Sequence, residues 1–311
     1  GNPVWCDFNP KDDQYFGLPY WKPDASALLV QWMNRKQNQL RIWSVNPQNG
    51  SKTIFYSEDQ PTWISLDDEG ERMHFLNNKT GLILQSDASG WNHLYYYDLN
   101  GKLINPITTG TFTVTELNYV DEKNKVVYFT ARKENTAHKD LYRVNLNGKK
   151  LQRLTFGDYH HYYVNLSPDA SYYVSSYSNA ATPNQLAIGN NKGKLIKVIG
   201  DSKTAEFDQW KLARTELVRV KSDDGKFDLP MKITWPVNMD KTKRYPVLIS
   251  IYGGPNAGTV MDNWALSGSQ QWYAKEGLIQ VAMDHRASGH FGKEGVSYMF
   301  HNLGFWEMKD Y

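Results

Sequence analysis

The sequence predicts a mainly β fold that runs on into an α/β segment: β-propeller blades first, then the beginning of a doubly wound sheet. Three observations carry this expectation. The chain is rich in bulky rings, with 11 Trp and 20 Tyr among 311 residues, and such side chains suit pleated, half-buried surfaces. Its first two thirds repeat internally. Beyond residue 204 the pattern changes to apolar strands alternating with helical stretches, the order of a layered α/β sheet.

The repeat is clearest at its centre. Leu94-Tyr-Tyr-Tyr-Asp-Leu-Asn-Gly-Lys102 recurs as Leu141-Tyr-Arg-Val-Asn-Leu-Asn-Gly-Lys149, displaced by 47 residues, and Gly110 matches Gly157 at the same offset. Weaker copies flank the pair: Leu40-Arg-Ile-Trp-Ser-Val45 leads to Asn49-Gly50, and Leu186-Ala-Ile-Gly-Asn-Asn191 leads to Lys192-Gly193. The string Pro-Asp-Ala-Ser stands at 23–26 and again at 168–171, each time before an apolar run.

Each unit reads alike. A polar turn, Pro-Asp or Leu66-Asp-Asp-Glu-Gly70, leads into a strand such as Ala27–Trp32 or Tyr172–Ser176. An Asn-Gly hairpin follows, a signal whose strength lies in the positive φ that a type I′ turn demands of both central residues. A closing strand with Thr or Ser ends the unit. A period of roughly 45–54 residues with four strands each fits propeller blades. About four such units lie between residues 15 and 203. A β-sandwich of similar hairpins is the competing reading, and the constant 47-residue register argues against it.

Residues 211–220 and 230–235 then read as strands around the polar turn Ser222-Asp-Asp-Gly225. Next come a strand at 247–252, a helix at about 261–276, a strand at 278–284, a loop, and a helix from about Gly304. The expected division is a propeller over 1–205 and an α/β domain over 206–311, with the boundary near 203–212.

Composition excludes several classes. Apolar residues make up 40% and charged residues 22%, with 35 basic and 33 acidic side chains giving a net charge of +2. These charges are spread along the chain and build no clustered basic face, so no nucleic-acid partner is expected. Cys6 is the one cysteine, which rules out an internal disulfide framework and a cysteine metal cluster. No apolar run reaches the length of a membrane span, and no signal peptide is recognisable. Gly1 reads as a processing scar.

Residues with chemistry concentrate late. Pro246-Val-Leu-Ile-Ser-Ile-Tyr-Gly-Gly-Pro-Asn256 is an apolar strand entering a glycine-rich turn that exposes Tyr252. Acyl transfer needs donors aimed at a developing oxyanion, and a positioned Tyr hydroxyl can be one; the bland alternative is a strand-end aromatic above a tight turn. Some thirty residues on stands Asp284-His-Arg-Ala-Ser-Gly-His-Phe-Gly292, followed by Asn302-Leu-Gly304-x-x-Glu307-x-x-Asp310. Together these strings resemble the opening of the peptidase domain in the prolyl oligopeptidase and dipeptidyl peptidase IV family of serine peptidases. Ala287 departs from the family's Asp-x-Arg-Gly-Ser-Gly-x-x-Gly string.

That resemblance implies a propeller followed by an α/β-hydrolase sheet, and release of dipeptides from peptide amino termini after Pro or Ala. It implies Tyr252 as an oxyanion-hole donor, with Asp284 and Arg286 structural, tying the loop to the sheet. Peptide substrates and a homodimeric parent follow from it, with no cofactor and no metal. It leaves the compartment open while leaning towards a periplasmic or extracytoplasmic one. No Gly-x-Ser-x-Gly elbow occurs before Tyr311, so the catalytic Ser, Asp and His are expected to be absent, the chain inactive by itself, and the family's first blades to precede Gly1. The acidic pair with which the family captures a substrate amino group has no counterpart here. An acyl-aminoacyl peptidase, an oligopeptidase and a non-catalytic propeller scaffold remain alternatives.

Other strings read as structural. Gly289, Gly292 and Gly295 have the wrong spacing and no following acidic partner for a dinucleotide site. His160 and His161 are adjacent on a strand and point to opposite faces, so they cannot share a metal. Asn78-Lys79-Thr80 and Asn165-Leu166-Ser167 are glycosylation acceptor strings of a kind that arises by chance.

Overall fold

A computed structural model describes residues 2–64, 72–77, 79–265 and 267–311. The expected turn at 66–70, Asn78 of the first acceptor string, and Leu266 within the expected helix lie outside these residues. The repeat units are four successive sheets. The first contains β1 (Gln14–Phe16), β2 (Tyr20–Trp21), β3 (Leu28–Asn34), β4 (Gln39–Val45) and β5 (Lys52–Asp59). The second is β6 (Met73–Phe75), β7 (Leu82–Ser86), β8 (His93–Tyr97) and β9 (Leu103–Pro106). The third is β10 (Thr113–Asp121), β11 (Val126–Arg132), β12 (Asp140–Asn145) and β13 (Gln152–Arg153). The fourth is β14 (His160–Leu166), β15 (Tyr172–Asn179), β16 (Thr182–Asn190) and β17 (Leu195–Asp201). In the last three, strands adjacent in sequence are adjacent in space, the meander that short hairpins impose.

The hairpin turns correct one expectation. Gly50, Gly101, Gly148 and Gly193 take φ of 72°, 86°, 78° and 83°, but the asparagines before three of them do not share the left-handed region. Gly101 donates its N–H to Asp98 O at 3.2 Å, as Gly148 does to Asn145 O and Gly193 to Asn190 O. Asp98 Oδ1 also accepts the Asn100 N–H at 2.8 Å. These are type I turns closed by one left-handed glycine, not type I′ turns. The Asx side chain at the first position stabilises the local turn by itself. At Pro23–Ser26 and Pro168–Ser171 the repeated strings also fold alike: Ala25 and Ala170 have φ of 55° and 51°, each after an Asp whose carboxylate accepts the N–H two residues on.

By chain contacts the molecule divides into two compact units, one of Gly1–Gly110, Glu122–Val126 and Val144–Lys150, the other of Thr111–Asp121, Val127–Arg143 and Leu151–Tyr311. In the first, Leu29, Ile42 and Phe55 of one sheet pack on Met73, Leu82 and Leu84 of the next. Each such buried side chain contributes about 1.5–3 kcal/mol of transfer free energy. In the second, the fourth sheet is walled by aromatic rings, with Phe156 edge-on to Tyr177 at 4.9 Å and His161 stacked on Tyr177 at 5.5 Å.

The last sheet has β18 (Thr215–Lys221), β19 (Asp228–Thr234), β20 (Val247–Ser250) and β21 (Ile279–Met283) in the order β18-β19-β21-β20. Its first two pairings are antiparallel, and β20 joins β21 in parallel. The connection between the parallel strands carries helix α1 (Gly268–Lys275), shorter than the expected 261–276. A capping box fixes its start, with Ser267 accepting the Gln270 N–H and Gln270 returning to the Ser267 N–H. Residues 259–265 before it are held instead by side chains described below. Strand β20 ends at Ser250 rather than 252, and a helix α2 (Gly292–Ser297) occupies part of the expected loop. The last helix, α3 (Trp306–Asp310), begins two residues later than expected. All four β20 residues are exposed, Ile249 at 61%. Among the described residues no helix is long and apolar enough to cross a membrane.

Candidate functional site

Tyr252 follows β20 and is 71% exposed. The next residue, Gly253, has φ of 87°, a conformation that strains any L side chain and so selects glycine. Gly254 is required for a different reason: a Cβ there would lie 2.5 Å from the Tyr252 ring. The ring therefore lies against the turn at Gly254.

The turn is clamped by the loop after β21. Asn256 N–H donates to Ala287 O at 2.8 Å. The buried Asp284 carboxylate accepts the Thr259 N–H and hydroxyl on Oδ1, at 2.9 and 3.1 Å. Its Oδ2 accepts the Val260 N–H at 2.8 Å and His290 Nε2 at 2.9 Å. Burial works to raise the pKa of Asp284, but the bonds from His290, Thr259 and Val260 outweigh it and hold the group below the usual carboxylate range. Asp284 thus fastens the irregular segment following the Tyr252 turn to the end of β21.

Arg286 is fully buried and satisfied on all sides. Its Nε and Nη2 donate to Asp310 at 2.9 and 2.7 Å, and Nη1 donates to Asp224 at 3.0 Å. The guanidinium carbon lies 4.2 Å from the Trp306 ring centroid and 4.7 Å from that of Tyr298. Burial would lower its pKa, yet the two carboxylates raise it. At Asp224 burial opposes ionisation, but hydrogen bonds from Arg286 and Ser222 bring the pKa down to about 2. Gly295 permits this closeness, because a Cβ there would sit 2.2 Å from Arg286 O. Asp284 and Arg286 are both structural, as expected, but each has its own partners.

Several residues that sequence reasoning passed over also hold this segment. Asp262 Oδ2 lies 2.8 Å from His138 Nε2, while Oδ1 accepts the Ala180 N–H at 2.8 Å. Trp264 N–H donates to Ser178 Oγ at 3.1 Å. Lys232 Nζ caps Met261 O, Asn263 O and Asn263 Oδ1 at 2.8–3.1 Å, and burial lowers its pKa to about 8. Beside it a cavity of about 370 Å³ is lined by Thr234, Gln280, Ser250, Thr259 and Tyr273. His138 and Asp262 stand 124 residues apart, with no local pattern to announce the pair.

The remaining candidates behave as structural groups. His161 is bonded through Nδ1 to Ser175 and through Nε2 to Phe156 O, and His160 Nδ1 accepts the Lys139 N–H. Among the described residues no cluster of three His, Cys, Asp or Glu could hold a metal ion. Residues 292–297 open helix α2 around Gly295, whose packing role is set out above.

The family model for the dipeptidyl peptidase IV (DPP IV) N-terminal region matches residues 3–184. The chain is 28% identical over 313 residues to dipeptidyl peptidase 4 of Trichophyton rubrum and 29% identical over 310 residues to that of Arthroderma otae. Each alignment covers 97% of this chain and 40% of the relative, so the chain spans well under half the length of these proteins. A crystal structure from Bacteroides ovatus, provisionally assigned as a dipeptidyl aminopeptidase IV, superposes with a TM-score of 0.86 at 26% identity, over 98% of this chain and 46% of that one. Porphyromonas gingivalis dipeptidyl peptidase 4 gives 0.84 at 24% identity, over 97% and 42%, and shares the fold. With its repeat sheets matched across residues 3–184, the chain belongs to the dipeptidyl peptidase IV N-terminal region family.

Proposed function

We propose that this chain is part of a serine-type dipeptidyl peptidase that releases dipeptides from peptide amino termini, with Pro or Ala in the penultimate position. Residues 1–205 are the propeller part and 206–311 the beginning of the α/β-hydrolase domain. The mixed order β18-β19-β21-β20 with a helical crossover between parallel strands supports the second assignment, and four consecutive sheets, the last three of them meanders, support the first.

The observation that carries the reading is Tyr252: exposed, at the end of the parallel strand, on a turn clamped by Asn256, Thr259 and Val260 to the 284–290 loop. A donor so held needs little reorganisation as charge develops on a carbonyl oxygen, which is how an oxyanion hole lowers the barrier. A serine nucleophile and its histidine base would perform the attack and the proton transfer; no Gly-x-Ser-x-Gly string is present among these 311 residues. The intact protein would act as a homodimer on peptides. The test is hydrolysis of Gly-Pro and Ala-Pro chromogenic dipeptides by the full-length protein. Turnover abolished by a serine-directed fluorophosphonate is expected. Cleavage of acyl-blocked peptides in preference to free amino termini would instead select an acyl-aminoacyl peptidase or oligopeptidase.

A further inference from the structure

Arg132 ends β11 as a largely buried side chain, with the Asp284 carboxylate near enough to favour its charge but not bonded to it. Among the described residues it makes no hydrogen bond and no ion pair, and its Nε is fully buried without a partner. A buried guanidinium left unpaired is costly, and natural folds seldom keep one without a counter-ion. The exposed Glu116 of β10 acts on Lys139 through its charge but is bonded to neither cation among the described residues; the other neighbouring carboxylates are already occupied. Asp284 spends both oxygens on Thr259, Val260 and His290. Asp140 holds Arg153 at 2.7 Å and the Thr155 hydroxyl at 2.6 Å. Glu134 turns to Lys133 at 3.0 Å.

Further positive groups share the spot. Lys139 directly precedes β12, the sheet neighbour of β11, and is half-buried, with no acceptor for its ammonium among the described residues. Its backbone is locked to β14: Lys139 N–H donates to His160 Nδ1 at 3.0 Å, and Lys139 O accepts the His161 N–H at 2.9 Å. With Nδ1 accepting, the neutral His160 ring carries its hydrogen on Nε2, which has no hydrogen-bond partner among the described residues. Burial first, then Arg132 and Lys139, lower the pKa of His160 to about 3, so the ring is a neutral donor. Burial and Arg132 likewise lower Lys139. Arg219, which also faces the 133–139 loop, bonds only neutral acceptors there, Asn135 and Thr136.

We propose that Arg132, Lys139 and His160 form a binding site for a small oxyanion group, a carboxylate or a phosphate. The planar guanidinium fork would engage two oxygens, the lysine would add a point charge, and His160 Nε2–H would complete the cradle. The inference goes beyond the peptidase reading and does not rest on it.

The test uses the 311-residue chain at constant ionic strength in a chloride buffer, with three probes: inorganic phosphate, N-acetyl-Ala-Glu amide and N-acetyl-Ala-Gln amide. Phosphate or the glutamyl peptide is expected to bind with Kd at or below ~1 mM and to raise the Tm by mass action, while the glutaminyl peptide does neither. Binding of phosphate alone would identify the source as a phosphate, and binding of the glutamyl peptide alone as a polypeptide carboxylate. Arg132→Gln should weaken binding by roughly tenfold or more. Lys139→Gln, at a half-exposed position where folding is not at risk, should weaken it severalfold. Unliganded Arg132→Leu should melt no lower than the parent, since it removes an uncompensated charge. The proposal is overturned if neither anion binds more tightly than the glutaminyl control, or if both Arg132→Gln and Lys139→Gln bind like the parent.

Discussion

At the scale of single residues, Tyr252 and Arg286 separate two kinds of importance. Tyr252 is exposed and its hydroxyl makes no hydrogen bond among the described residues, so Tyr252→Phe in the full-length protein should leave the fold intact. Loss of one oxyanion donor is expected to lower kcat by about 10²–10³. A change under roughly threefold, with unaltered circular dichroism, would reduce Tyr252 to a strand-end aromatic. Arg286 is the opposite case. Its replacement by Met would leave the buried Asp310 carboxylate without its counter-ion, and breaking a buried pair from one side costs about 3–5 kcal/mol. Urea denaturation of Arg286→Met should show a midpoint shift of that size, and an unchanged midpoint would mean that the cage is dispensable.

Elements of this molecule are set by their ends. Gly101, Gly148 and Gly225 all lie at φ between 72° and 86°, so alanine strains each by about 1 kcal/mol. Their surroundings differ. An added Cβ meets nothing at Gly225, Pro106 O at 2.8 Å at Gly148, and Phe55 O at 2.1 Å at Gly101. The expected order of destabilisation is therefore Gly225→Ala, then Gly148→Ala, then Gly101→Ala, read from chemical denaturation; equal effects would remove the close-approach argument. Strand β14 supplies a pH dependence. Burial depresses His160 to about 3 and His161 to about 4, against about 6.5 in an unfolded chain. The unfolded state then binds more protons than the native state between those values. Stability is full above pH ~6.5 and falls as pH drops towards the folded values, with a slope of up to about 1.4 kcal/mol per pH unit for each histidine. Denaturation midpoints between pH 7.5 and 4.5 should decline in this sense, and His161→Phe should flatten the decline.

For the molecule as a whole, the exposed face of β20 dominates the expected solution behaviour. Val247, Leu248, Ile249 and Ile251 are 41–61% exposed, and among the described residues β20 pairs on one side only, with β21. An open apolar edge recruits other strands. Light scattering across a dilution series should show association of the 311-residue chain, and Ile249→Lys should suppress it. A monomer at every concentration would show that this edge is harmless. The same chain should not hydrolyse Ala-Pro chromogenic substrates, because donors and scaffold without a nucleophile leave little acyl-transfer chemistry.

Periodicity and turn chemistry are local, and the sequence by itself determined what depends on them: four repeat units, glycine at each turn, the change of pattern after residue 204, and the Tyr252 turn with its 284–292 partner. Local chemistry also misled in places. Asn-Gly suggested type I′ turns, but the Asx residue ahead selected type I, and the helix expected from about 261 begins only at Gly268. Tertiary structure alone decided the long-range pairs. His138 meets Asp262, Lys232 caps the 261–263 carbonyls, and Arg286 finds Asp224 and Asp310. The same is true of Arg132, which the fold leaves without a bonded acid among the described residues. A charge carries no periodic signal along the chain, and its partner is fixed only when packing brings distant strands together and excludes the water that would otherwise have solvated it.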